Sequence, residues 1–154
     1  MSTIPIPVAI AHDDPIFRLG WEQILARHGQ MKLVWIGAVD AKYSKAIRNM
    51  EPAIVLISNE YGLDSYKLIQ ALKTQNPEMK ILLLVSRELT SAQLETIRAL
   101  QIEGYVEQKE SFEQIFEGIN AVLQGETLWP KPPSKFPFQA VLDGLVATAI
   151  AIDA

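Results

Sequence analysis

Short, unbroken apolar runs alternate along most of the chain with longer segments of helical periodicity. Val8-Ala9-Ile10-Ala11 is the first such run, and it stops at His12-Asp13-Asp14-Pro15. A strand buried on both faces ends this way when it runs into a loop that opens a helix. Asp13 or Asp14 can cap that helix, and Pro15 suits its first turn. Ile16, Leu19, Ile24 and Leu25 supply helical spacing up to His28-Gly29, where Gly29 is expected to take the left-handed capping conformation.

The same β-loop-α grammar recurs four more times. Leu33 to Ile36 reads as a strand followed by a helix from about Asp40 to Met50, and Pro52 resets the chain before the strand Ile54 to Ile57. A helix from about Asp64 to Gln75, the strand Ile81 to Val85 and a helix from about Ser91 to Leu100 follow. The last unit is Gly104-Tyr105-Val106, then Ser111 with Glu113 and Gln114 as an N-terminal signature, and a helix to Leu123 with Gly125 beyond it. The pattern is (βα)5, an α/β doubly wound domain with a five-stranded parallel sheet covered on both faces. Ligand chemistry in such a sheet belongs at the carboxyl ends of the strands.

After residue 128 the composition shifts, which divides the chain into a domain over 1–128, a linker over 129–137 and an apolar tail over 138–154. Pro130, Pro132, Pro133 and Pro137 make the linker extended and semi-rigid. The tail carries a helical stripe at Val141, Leu145, Thr148, Ala149 and Ile152. It is expected either to pack on the domain or on a second copy, or to open a further domain.

With 154 residues, 49% of them hydrophobic, the chain can bury the core of one domain. Fourteen Lys and Arg against 18 Asp and Glu give a net charge of −4, and the positive charges form no runs. This argues against nucleic-acid binding by the chain alone. There is no cysteine, which removes disulfides, thiolate metal sites and thiol nucleophiles and fits a cytoplasmic setting. The N-terminus has no basic stretch with an apolar run, and Ala140 to Ile152 is too short to span a membrane.

Several landmarks recur here in order: Asp13-Asp14-Pro15-Ile16-Phe17-Arg18-Leu19-Gly20, Pro52 to Ile57, Asn76-Pro77-Glu78-Met79-Lys80-Ile81 and Gly104-Tyr105. Together they resemble the receiver domain of two-component response regulators over about residues 6–128, in the flavour that carries a helix-turn-helix output. The resemblance implies the flavodoxin/CheY-like strand order 2-1-3-4-5. More faintly, the Asp-Asp-Pro stretch is similar to the receiver-like part of some cyanobacterial proteins of unknown function.

In that family an acidic pair after the first strand and an aspartate ending the third hold magnesium, and the third-strand aspartate accepts a phosphoryl group. A hydroxyl ending the fourth strand and a lysine ending the fifth contact that group. Metal and ammonium charge are required because an anionic nucleophile must take up an anionic phosphoryl group. Carried over by position, the first acidic place holds His12, the second keeps Asp13, the acceptor place holds Ser58, the hydroxyl place Val85 and the lysine place Gln108. A shift of one residue restores Ser86 and Lys109, but none restores an aspartate at Ser58. Neither a catalytic residue, nor a metal, nor a cofactor is expected.

The resemblance therefore implies a receiver-like module that signals without phosphate, is not an enzyme, and acts by binding a protein partner or itself. The contact face it implies runs over about Ser91 to Gln124, the fourth helix, fifth strand and fifth helix, with Tyr105, Lys109, Glu113 and Glu117 on it and the tail extending it. Tyr105 occupies the family's aromatic switch position and, following Val85 in place of a hydroxyl, is expected to keep a fixed rotamer. A conventional phosphorelay regulator and a small hydrolase using Ser58, with His12 as base, are the alternatives. A third use of the crevice is anion or small-molecule binding near His12, Gln108 and Lys109. Glu113 and Glu117, at i and i+4, read as a solvated face. His28 reads as a cation at a helix end, and Trp21, Trp35 and Trp129 as core or seam residues, with Trp129 docking the tail.

Overall fold

The strands are the apolar runs, and they assemble into one parallel sheet. In a computed structural model describing residues 4–60 and 62–129, the strands are β1 (Ile6–Ala11), β2 (Met31–Gly37), β3 (Ile54–Ser58), β4 (Ile81–Val85) and β5 (Gly104–Glu107). Their order is β2-β1-β3-β4-β5, as the resemblance implied. The helices between them are α1 (Pro15–Ala26), α2 (Ser44–Asn49), α3 (Gly62–Gln75), α4 (Ser91–Ala99) and α5 (Phe112–Leu123).

The period of two along each strand sorts side chains into two apolar layers. Val8, Ile10, Ile54, Leu56, Leu82 and Leu84 face α1 and α5, where Trp21, Leu25, Ile115, Ile119 and Val122 meet them. Ala9, Ala11, Val55, Ile57, Leu83 and Val85 face the other way, onto Ile47 of α2, Leu68, Ile69 and Leu72 of α3, and Ile97 of α4. Each fully buried aliphatic side chain contributes about 1.5–3 kcal/mol relative to exposure. That double layer carries the sheet.

Helix starts follow local chemistry. Asp14, not Asp13, caps α1, accepting the Ile16 N–H at 2.8 Å, with Pro15 in the first turn. Ser111 and Gln114 form the expected capping box on α5, and Thr90 and Gln93 form another on α4. Three details differ from the sequence reading. The segment read as a helix from Asp40 begins as a 3-10 turn over Ala41–Tyr43 before α2, because Asp40 caps the Lys42 amide. Gly29 is not left-handed; α1 ends at Arg27 in right-handed geometry, and Gly125 after α5 takes positive φ instead. Finally, of the apolar residues that spaced α1, Leu25 is buried together with Trp21, while Ile16, Leu19 and Ile24 are exposed.

The linker from Pro130 and the tail over 138–154 lie outside the described residues. Among the described residues, no helix is long and apolar enough to cross a membrane.

Candidate functional site

The carboxyl ends of β1, β3, β4 and β5 meet in a crevice, where His12, Ser58 and Gln108 lie with the Asp13 carboxylate beside them. His12, one residue past β1, is fully buried. Its Nδ1 accepts the Asp14 backbone N–H at 3.0 Å. An amide can only donate, so the ring proton sits on Nε2, which donates to Gln108 Oε1 at 2.7 Å. Phe17 stacks on the ring at 4.8 Å between centroids, and Arg18 donates to the His12 carbonyl at 2.5 Å. Both imidazole nitrogens are thus engaged, and the ring is clamped across 96 residues of sequence.

The other carried-over positions are occupied as follows. Asp13 uses Oδ1 to accept the Val39 N–H at 2.8 Å, which ties the loop after β1 to the chain after β2. Ser58 is buried at the end of β3; its Oγ accepts the Glu60 N–H at 3.3 Å, and its carbonyl accepts from the Ser65 hydroxyl. Val85 ends β4, buried, with its carbonyl taking the Gln108 N–H at 2.9 Å. Gln108 turns into the crevice, whereas Lys109 points out and pairs with Glu107 at 3.1 Å with 82% of its side chain exposed. Ser86 is exposed. Of each adjacent pair, Val85 and Gln108 are the residues turned inward, and Ser86 and Lys109 the exposed ones.

A magnesium ion does not fit this donor set. Of the carried-over carboxylates only Asp13 remains, and one of its oxygens is spent on the Val39 amide. Both His12 nitrogens are taken, Ser58 is neutral, and among the described residues no three His, Cys, Asp or Glu side chains cluster for an ion. Hard divalent cations need several oxygen ligands. Neither His12 nitrogen bonds the Ser58 hydroxyl, which meets the Glu60 amide instead. Beside the crevice a cavity of about 230 Å³, lined by Asn59, Tyr66, Val85, Ser86 and Arg87, opens between β3 and β4. Asn59 Oδ1 is buried with no partner among the described residues.

Of the residues expected on one contact face, Tyr105, Glu113 and Glu117 separate into two grooves, and Lys109 lines neither. Tyr105 lines a groove with Gln114, Gly118, Leu128 and Trp129. Glu113 and Glu117 line another, with Phe116 and Asn120. Trp129 packs edge-on against Tyr105 at 6.3 Å and lies under the Arg98 guanidinium at 5.0 Å. Burial, and then the charges of Glu107 and Glu88, raise the Tyr105 phenol above its ordinary value of 10.0. His28 sits against Phe112 and Phe116 and accepts the Gln30 N–H on Nδ1. Sequence reasoning missed Arg98, Phe17 and Ser65, whose roles arise from contacts and not from spacing.

Solved structures with this fold are response-regulator receivers. The isolated receiver domain of RcsB from Salmonella enterica serovar Typhimurium, determined in the presence of the phosphomimetic BeF3−, superimposes with a TM-score of 0.68 and 22% identity over 86% of this chain and 98% of that one. A LuxR-family two-component response regulator from Aurantimonas superimposes with a TM-score of 0.72 and 19% identity over 91% of this chain and 99% of its own. At this identity the likeness establishes the receiver fold. In sequence, a Ycf55-like protein of Synechocystis is 26% identical over 133 residues, 84% of this chain. The chain spans about a quarter, 24%, of that curated relative's length. This match is in line with the fainter cyanobacterial resemblance. No family model matches the chain.

Proposed function

We propose that this chain is a receiver-like regulatory module of a two-component-type system that takes up no phosphate, catalyses no reaction and works by contact with a protein partner or a second copy of itself. The observation that carries this reading is the His12–Gln108 hydrogen bond at 2.7 Å, made where the receiver family places a carboxylate and an ammonium group. A mutually satisfied pair stabilises one arrangement of the crevice, because each side chain meets the other's hydrogen-bonding need. Tyr105, packed under Trp129, supports the same reading, since the ring is held without a hydroxyl at Val85 to follow. The setting is cytoplasmic, and binding of DNA is not a property of this chain alone, in keeping with its net charge of −4.

The test is incubation with acetyl phosphate and magnesium followed by intact-mass measurement. The mass is expected to stay unchanged. A gain of one phosphoryl group, or a beryllofluoride adduct seen by 19F NMR, overturns the proposal in favour of a conventional phosphorelay regulator. Ester hydrolysis lost on Ser58→Ala overturns it in favour of a hydrolase.

A further inference from the structure

The loops that follow β3 and β4 leave the sheet side by side. Ser58 is in register with Leu84, and the Asn59 N–H is donated to the Leu84 carbonyl at 3.0 Å. The two loops then part around the cavity of about 230 Å³, with Tyr66 of α3 and Gln93 of α4 completing its walls. That volume lies below the roughly 300–1,000 Å³ of pockets that take drug-sized ligands, so the occupant it suits is a small metabolite.

Donors and acceptors are segregated across this space. On the β4–α4 side the lining includes Arg87, whose guanidinium can only donate, and Gln93, whose Oε1 is taken by the Thr90 amide at 2.8 Å so that its NH2 group is what remains. On the β3 side it includes Glu60, whose carboxylate can only accept, and Asn59, whose Oδ1 is buried with no partner among the described residues. A buried carbonyl left unmatched is destabilising until a donor meets it, and rotation about the broad χ2 torsion of asparagine can present it to one in the cavity. Arg87 and Glu60 are exposed, and neither is in an ion pair among the described residues. Leu89 and the Tyr66 ring add apolar surface.

We propose that this cavity is a binding site for a free α-amino acid with an aliphatic side chain. The ligand's carboxylate meets Arg87 and the Gln93 NH2 group, its ammonium meets Glu60 and the Asn59 carbonyl, and its side chain lies against Leu89 and Tyr66. Hydrogen bonds to an ionised partner are the strong kind, and a zwitterion makes them at both ends. A plain anion would leave Asn59 Oδ1 without a donor and face the Glu60 carboxylate, and a plain cation would face the Arg87 guanidinium. Repulsion at one end thus selects against singly charged molecules, while attraction at both ends selects for the amino acid.

The test is a titration of the full 15N-labelled chain with leucine, followed by NMR through the backbone amides of Asn59, Arg87 and Gln93. Half-saturation is expected at about 1 mM, with N-acetyl-leucine, which has no ammonium, and leucinamide, which has no carboxylate, each weaker by roughly tenfold or more. Arg87→Ala should lower leucine to the leucinamide level and Glu60→Gln should lower it to the N-acetyl-leucine level; both positions are exposed, so the fold is retained. Unmoved amides with leucine, isoleucine, valine and alanine up to about 10 mM overturn the proposal. N-acetyl-leucine binding as tightly as leucine identifies a plain anion site, leucinamide binding as tightly identifies a plain cation site, and either result overturns it as well.

Discussion

The crevice and the β5 edge are held by different physics. At the crevice, polar groups satisfy one another: His12 with Gln108 and Asp14, Asp13 with Val39, Ser58 with Glu60. At the edge, Leu128 is bonded through its backbone to Tyr105 and Glu103 and sits in a slot that exists because Gly104 and Gly118 have no side chains. Hydrogen-bonded groups are directional but tolerate partial replacement, since net worth per bond is about 1 kcal/mol. A backbone approach this close tolerates nothing. Rigidity in this molecule therefore has two sources, and each can be removed without touching the other.

Gly104→Ala is expected to have the largest effect. The new Cβ meets Leu128 backbone, and φ at Gly104 is +139°, a region restricted to glycine, so stability should fall by about 3–4 kcal/mol. A melting curve is expected to shift down by roughly 10 °C, and a shift no larger than that of an exposed-site control would mean that the edge is not sterically set. His12→Ala comes next. It orphans Gln108 Oε1 and the Asp14 amide and opens a void beside Phe17, for about 2–3 kcal/mol in urea unfolding.

Trp129→Ala is the mildest change and sharpens the contrast. Tyr105 is held above 10.0 first by burial and then by Glu107 and Glu88, and loss of the indole removes part of that burial. The 13C-detected titration of Tyr105 should move down toward 10.0. A raised folded value means that the native state holds the proton more tightly. Its contribution to stability is therefore complete below the unfolded value and is lost as pH rises through the folded one. Alkaline destabilisation above the ordinary phenol value should be smaller in the variant than in the parent, and an unchanged Tyr105 titration would show that the indole is not the group burying the phenol.

The strands were legible because burial on both faces demands continuous apolar runs, and β3 and β4 are buried throughout. Asp14, Pro15, Ser111 and Gln114 marked helix starts for local reasons. What could not be read depends on which side of a helix finds a neighbour. The periodicity of α1 is satisfied by Ile16, Leu19 and Ile24 as well as by Leu25, yet Trp21 and Leu25 are the ones turned to the sheet. The positions of His12, Ser58 and Gln108 at strand ends were visible from the resemblance. The bond joining His12 to Gln108 spans 96 residues and appears only when β1 and β5 are brought around the crevice. The same is true of Gly104 and Leu128, where a glycine opening a strand was the single hint of close approach.

The slot beneath Leu128 also sets a mechanical boundary condition. Trp129 is an anchored point, under the Arg98 guanidinium and alongside Tyr105. The elements that hold this anchor are β5, through Tyr105, and α4, through Arg98.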